Sequence, residues 1–160
     1  MVVNVKEREK VGTVCNPEKT YCLVFDLEGF IFQDISFPTS QIIGFLVESQ
    51  KDYSLKDTVD FKEDIQKLKK ITTSLENLDI KLTSFQIENP NLVIANVFFE
   101  TDNLKDNFQI YFDFKENVIL QLLKLKEVWI QKIKKRIENG EDLEYLELRF
   151  SNQVFVKFKK

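Results

Sequence analysis

The sequence predicts an α+β fold: a largely antiparallel sheet of several hairpins, packed with two long amphipathic helices and ending in a C-terminal β-hairpin. Three observations carry this reading. Short β-branched and aromatic runs recur between turn clusters. Apolar residues switch to helical spacing twice, after Asp60 and after Asn117. The chain then closes on two alternating runs split by Ser151-Asn152-Gln153.

Taken in order, Val2–Glu7 and Val11–Cys15 read as short strands, and Asn16-Pro17-Glu18-Lys19-Thr20 as a turn. Tyr21–Asp26 is the next strand. Asp26-Leu27-Glu28-Gly29 turns the chain, with Gly29 free to take positive φ, into Phe30–Gln33. With Ile42–Glu48 these form an N-terminal meander of hairpins. Phe61, Ile65, Leu68, Ile71, Leu75 and Leu78 fall on one helical face, and Asp60 with Glu63 fits a capping box. Ile80–Glu88 and Leu92–Thr101 are strands joined through Asn89-Pro90-Asn91. Phe108–Phe114 follows, with Phe108, Ile110 and Phe112 on one face. Asn117 is the N-cap of a helix from Val118 to about Glu138. Its core set is Leu122, Leu125, Trp129, Ile133 and Ile137, widened by Val118, Ile119, Leu123, Val128 and Ile130. Gly140 suits the left-handed position that ends such a helix.

The final hairpin allows a register argument. In Leu143–Phe150, Leu146, Leu148 and Phe150 share one face, as Val154, Val156 and Phe158 do in the last strand. A three-residue loop, Ser151-Asn152-Gln153, pairs Phe150 with Val154, Leu148 with Val156 and Leu146 with Phe158, keeping one face wholly apolar. Outside, Glu147 then faces Lys157, and Arg149 faces Phe155 in a cation–π contact. Tyr145, Arg149 and Phe155 become an amphipathic patch beside a terminal strand, either exposed and of the composition favoured at protein interfaces or covered by a helix or loop. An unpaired edge there is a docking place for another chain.

Chemistry is scarce. The chain has no histidine, which excludes imidazole metal sites and Ser-His-Asp triads. Its four glycines form no phosphate loop. Glu141, Asp142 and Glu144 read as solvated surface. A net charge of −3 argues against nucleic acid as a partner. Lys132-Ile133-Lys134-Lys135-Arg136 reads as the solvated end of the long helix, where cations complement its dipole. No apolar run approaches the roughly 20 residues of a membrane span, and residues 1–15 lack a signal-peptide core. Cys15 and Cys22 flank the first turn and sit opposite each other if that hairpin is symmetric. A disulfide, two buried free thiols, and a catalytic or metal role all stay open, although the spacing is not that of a C-x-x-C redox pair.

The run Leu143-Glu144-Tyr145-Leu146-Glu147-Leu148-Arg149-Phe150, followed by a turn and Val154–Lys157, resembles the ending of the extracytoplasmic β domain of the FtsQ/DivIB family of bacterial cell-division proteins. Ile110-Tyr111-Phe112-Asp113 ahead of the long helix is similar too. Val3–Glu9 resembles the strand closing that family's POTRA domain, and Tyr21–Phe32 the C-x-x-x-D-x-x-G-x-x-F hairpin that follows. The chain departs from the family pattern at Glu147 and Leu146, where Asp and Ile are usual, and it carries neither membrane anchor nor complete POTRA domain.

The resemblance implies residues 1–9 as a remnant of the last POTRA-like strand and 10–160 as the β domain. It implies a non-enzymatic divisome scaffold for septum formation on the extracytoplasmic face of the cytoplasmic membrane. Membrane association would come only through an anchor outside this chain. FtsB/DivIC-like and FtsL-like proteins are the implied partners, with no cofactor, nucleic acid or small-molecule substrate. Tyr145, Arg149, Phe150, Ser151, Asn152, Phe155 and Lys157 are the expected partner-binding residues. The same placement supplies the oxidising compartment in which Cys15 and Cys22 would pair. Two rivals are a small enzyme or ligand-binding α+β domain, and a chaperone-like or transport scaffold built on POTRA modules.

Overall fold

A computed structural model describes residues 7–36, 44–101 and 104–159. The chain divides into two compact units, Met1–Ile65 and Gln66–Lys160. It is mixed α+β, as expected, but the strands do not simply meander.

In the first unit, β1 (Gly12–Cys15), β2 (Tyr21–Phe25), β3 (Ile31–Ser36) and β4 (Phe45–Glu48) lie in the order β3-β2-β1-β4. β1–β2 and β2–β3 are hairpins, whereas β4 runs parallel to β1. Gly44 makes that return feasible. It has φ +66°, and a Cβ there would stand 1.9 Å from the Val11 carbonyl oxygen. Only glycine permits so close a backbone approach. Gly29 takes φ +77° in the second turn, as expected. The expected strand Val2–Glu7 lies outside the described residues except for Glu7, which is in no strand, and Ile42–Ile43 also lie outside them. The Phe25 ring meets Phe45 and Phe61 edge-on, with centroids 5.8 and 5.6 Å apart, at the centre of this unit's core.

The expected capping box does not form. Asp60 instead accepts a short hydrogen bond from the Tyr53 hydroxyl and pairs with Lys51 at 3.5 Å. Burial, then the Asp60 carboxylate, pushes the Tyr53 pKa up to about 12. The chain enters α1 (Ile65–Glu76) through a 3-10 turn, Lys62–Asp64, without a side-chain cap. The six apolar residues from Phe61 to Leu78 are nevertheless all buried, because burial of the stripe outweighs the missing cap.

In the second unit, β5 (Ile80–Asn89), β6 (Leu92–Thr101), β7 (Leu104–Phe112), β8 (Leu143–Glu147) and β9 (Phe155–Phe158) follow in that spatial order. β7 and β8 are parallel, so the sheet is mixed rather than a run of hairpins. The reason is the long helix, which carries the chain back before β8 begins. Asn117 caps it, its Oδ1 accepting from Ile119 N at 2.9 Å and Leu120 N at 3.3 Å. The helix is not uniform: α2 (Val118–Val128) passes through a π turn, Trp129–Ile133, into α3 (Lys134–Glu138). Leu125, Trp129, Ile133 and Ile137 are spaced by four, and steps of four drift about 40° each around an α-helix. The wider π turn offsets that drift, and all four stay buried. Trp129 stacks on Phe108 at 5.7 Å. Gly140, at φ +91°, ends the helix. Its N–H bonds the Ile137 carbonyl and that of Glu141 bonds Arg136, closing a Schellman motif.

The expected core set needs two corrections. Leu122 is only half-buried, while Gln121 is buried, its amide clasping both backbone groups of Asp113 at 3.0 and 2.7 Å. Ile119, Leu123 and Ile130, expected to widen the buried stripe, are exposed together with Leu120.

Candidate functional site

The last hairpin departs from its expected register. Leu146 pairs with Val156, Glu147 with Phe155 and Tyr145 with Lys157. This is a shift of two residues, so every partner changes; the faces survive within the paired strands, but Phe150, expected on the apolar face with Leu146 and Leu148, is exposed. β8 ends at Glu147, and the loop before β9 runs from Leu148 to Val154 instead of over three residues.

The backbone of that loop is engaged elsewhere. Leu148 N–H donates to the Tyr111 carbonyl on β7 at 3.1 Å. Arg149 N–H donates to the Glu147 carboxylate at 3.2 Å. The Lys124 ammonium on α2 donates to the carbonyls of Leu148 at 3.0 Å and Phe150 at 2.5 Å. Partial burial lowers the Lys124 pKa, the Glu116 charge opposing this. The amide that a longer β8–β9 ladder would have used is thus already satisfied.

Charges rearrange accordingly. The Glu147–Lys157 pair is not formed. Arg149 instead binds Glu147 in a fork, with Nε–Oε1 at 2.8 Å and Nη2–Oε2 at 2.7 Å, and this bond raises the Arg149 pKa. Lys157 pairs with Glu144 at 2.8 Å and lies 5.6 Å from the Tyr145 ring. Arg149 does not lie over Phe155; its guanidinium is 5.9 Å from the Tyr111 centroid. The ring facing Phe155 is Phe150, edge-on at 5.2 Å.

The expected contact residues therefore separate into two groups. Phe150 (52% exposed) and Phe155 (47%) form an aromatic pair on the surface, flanked by exposed Ser151 and Asn152. Tyr145 and Arg149 are half-buried around Tyr111, whose hydroxyl pKa is raised by burial and then by the Glu147 charge. From Tyr111 a polar chain crosses the sheet that sequence reading did not find. The Tyr111 hydroxyl donates to Gln109 Oε1 at 2.7 Å, the Gln109 amide to Asn96 Oδ1 at 3.0 Å, and the Asn96 amide to Ser84 Oγ at 3.2 Å. Its signal in sequence was polar residues at alternating positions of adjacent strands, legible only once β5–β6–β7 register is known.

β9 is last in the strand order, and no strand among the described residues pairs with its outer side. Alternation gives the direction of its backbone groups. Leu148 N–H faces β7, so Tyr145, Glu147 and their partners Phe155 and Lys157 bond across β8–β9. Val156 and Phe158 therefore turn their N–H and C=O groups to the open edge. The hairpin base is anchored by buried Asp106, which accepts Leu143 N–H at 2.7 Å and pairs with Lys159 at 3.5 Å.

Cys15 and Cys22 are register partners on β1–β2, and their sulfurs are bonded, with Cα atoms 4.2 Å apart. Among the described residues no group of three Cys, Asp or Glu side chains is placed to hold a metal ion, and no helix is long and apolar enough to cross a membrane. No family model matches the chain, and no curated protein matches its sequence.

Proposed function

We propose that this chain is a non-enzymatic interaction domain of FtsQ/DivIB type, which binds a short partner segment by adding it as a strand along β9. The partner is an FtsB/DivIC-like protein within an assembly that includes FtsL-like components, on the extracytoplasmic face of the membrane. The carrying observation is the open outer side of β9 beside the exposed Phe150–Phe155 pair. Main-chain bonds to Val156 and Phe158 would supply affinity, and the two rings a hydrophobic anchor. The bonded cysteines fit a disulfide-permissive location.

The test is titration of the chain with an FtsB/DivIC-like peptide. Val156→Pro removes an N–H that points to the open edge and leaves the β8 ladder intact, since edge positions tolerate proline. It is expected to weaken binding tenfold or more at unchanged thermal stability, as is Phe155→Asp. Full binding by both variants would sink the assignment of the site.

A further inference from the structure

α1 and α2 form opposite walls of a groove of about 540 Å³ within the second unit. Its apolar wall is Ile119, Leu122 and Leu123 of α2, with Leu78 beyond α1. Ile119 and Leu123 are each more than half exposed, and Ile130 carries the same stripe onward. From Ile119 to Ile130 the stripe runs about 16 Å, three turns of helix. The facing wall is small and polar: Thr73, Ser74 and Asn77. Lys69, Lys70 and Lys126 rim the groove; among the described residues no carboxylate lines it and none of the three lysines has an ion-pair partner.

We infer that this groove is a second docking site, and that its occupant is an acidic amphipathic helix of a partner protein. Apolar positions of such a helix at i, i+4, i+7 and i+11 cover the length of the Ile119–Leu123–Ile130 stripe, which Lys126 interrupts at its own i+7 place. Its flanking carboxylates meet three lysines without an ion-pair partner among the described residues, which selects an acidic partner over a basic or neutral one. A lipid surface fits less well. The site is concave, and its second wall offers hydroxyl and amide groups that an acyl layer would leave unpaired but a peptide can satisfy. The site is separate from the β9 edge and does not depend on the strand-addition reading.

The probe is a synthetic helix with leucines at i, i+4, i+7 and i+11 and glutamates on both flanks, titrated against the full chain by fluorescence anisotropy. A second probe keeps the leucines and replaces each glutamate by lysine. The expected result is saturable binding of the acidic probe, weakened at least tenfold by Leu123→Asp and by Lys69→Glu combined with Lys126→Glu. The basic probe should bind at least tenfold more weakly, and Val156→Pro should change nothing. Leu123 is exposed, so circular dichroism of Leu123→Asp should match the parent. Equal affinity for both probes, or indifference to Leu123→Asp, overturns the inference. So does sedimentation with phosphatidylglycerol vesicles without peptide binding, which would assign the groove to a membrane.

Discussion

Hairpin β1–β2 and hairpin β8–β9 both join antiparallel strands, but they treat their turns differently. In the first, the turn's backbone is held by its own residues, with Lys19 also pairing to Glu48 of β4 at 3.1 Å. Asn16 Oδ1 accepts from Thr20 and Tyr21 N–H at 2.9 and 3.1 Å, Asn16 N–H donates to the Tyr21 carbonyl, and Cys15–Cys22 locks the last pair. In the second, the turn's backbone is held by a neighbouring strand and by a lysine more than twenty residues earlier, and the strand beyond it has one side that no strand among the described residues pairs with. A turn satisfied locally makes a closed, buried hairpin. A turn satisfied from outside leaves a wider loop and a surface that can be shared.

Opening the closed hairpin should have the largest effect. Reducing Cys15–Cys22, or replacing both by alanine, releases a loop of about eight residues and is expected to cost about 2.5 kcal/mol, read as a lower urea midpoint. Binding along β9 should then be unchanged at temperatures where the chain stays folded. If reduction leaves the midpoint where it was, the turn is held by Asn16 and burial alone, and the contrast weakens.

Arg149→Glu comes next. The Glu147 carboxylate is buried and Arg149 is its forked partner, so the reversal leaves a charge without its counterion beside a like charge. Because Arg149 is partly solvent-screened, the expected loss is roughly 2 kcal/mol rather than the larger cost of a fully buried pair. This separates Arg149 from Phe155. Arg149→Glu should impair binding and folding together, whereas Phe155→Asp should spare folding, both judged by parallel thermal melts and peptide titrations. Equal stability of the two variants would mean the Arg149–Glu147 fork contributes nothing.

The same contrast explains what could be read beforehand. The helical stripes, the Asn117 cap, the Gly140 stop and the opposed Cys15–Cys22 follow from local spacing, and each was legible from residues within a turn or two of one another. The parallel return of β4 was not, because the role of Gly44 depends on a backbone approach from Val11 that no local pattern encodes. The β8–β9 register failed for the same reason. Alternation set which side chains share a face only as far as the strands run, and Phe150 beyond β8 left its expected face, because Lys124, Tyr111 and the Glu147 side chain claim the loop's backbone, and all act outside the hairpin's own period. At the site, alternation put Phe155 on the outer face and the family resemblance alone named Phe150 a contact, but the exposure of Phe150, the packing of the two rings and the Ser84–Asn96–Gln109–Tyr111 chain were not legible.

Lys124→Met isolates the outside hold on the open loop. It removes two donors from the Leu148 and Phe150 carbonyls while keeping an apolar stem of similar length. The expected cost is about 1 kcal/mol, with faster amide exchange confined to Ser151–Val154. Exchange that accelerates throughout β8 and β9 would show that the lysine supports the whole hairpin and not the loop.

The smallest effect should come from lengthening the open loop by two glycines, with the same insertion in the closed turn as its contrast. In the open loop, insertion after Asn152 falls among exposed residues, and loop closure alone predicts a cost of about 0.2 kcal/mol. Between Pro17 and Glu18 the same insertion pulls Thr20 and Tyr21 away from the Asn16 side chain and should cost well over 1 kcal/mol. Partner binding adds a sharper reading of the first variant. The β8–β9 register is fixed by Asp106 and the strand pairs, so the outward amides of β9 keep their positions after the insertion. Phe150 and Phe155, on opposite sides of the inserted residues, do not keep theirs. Peptide affinity that survives within threefold would assign recognition chiefly to the β9 backbone, whereas a tenfold loss would assign it to the paired rings.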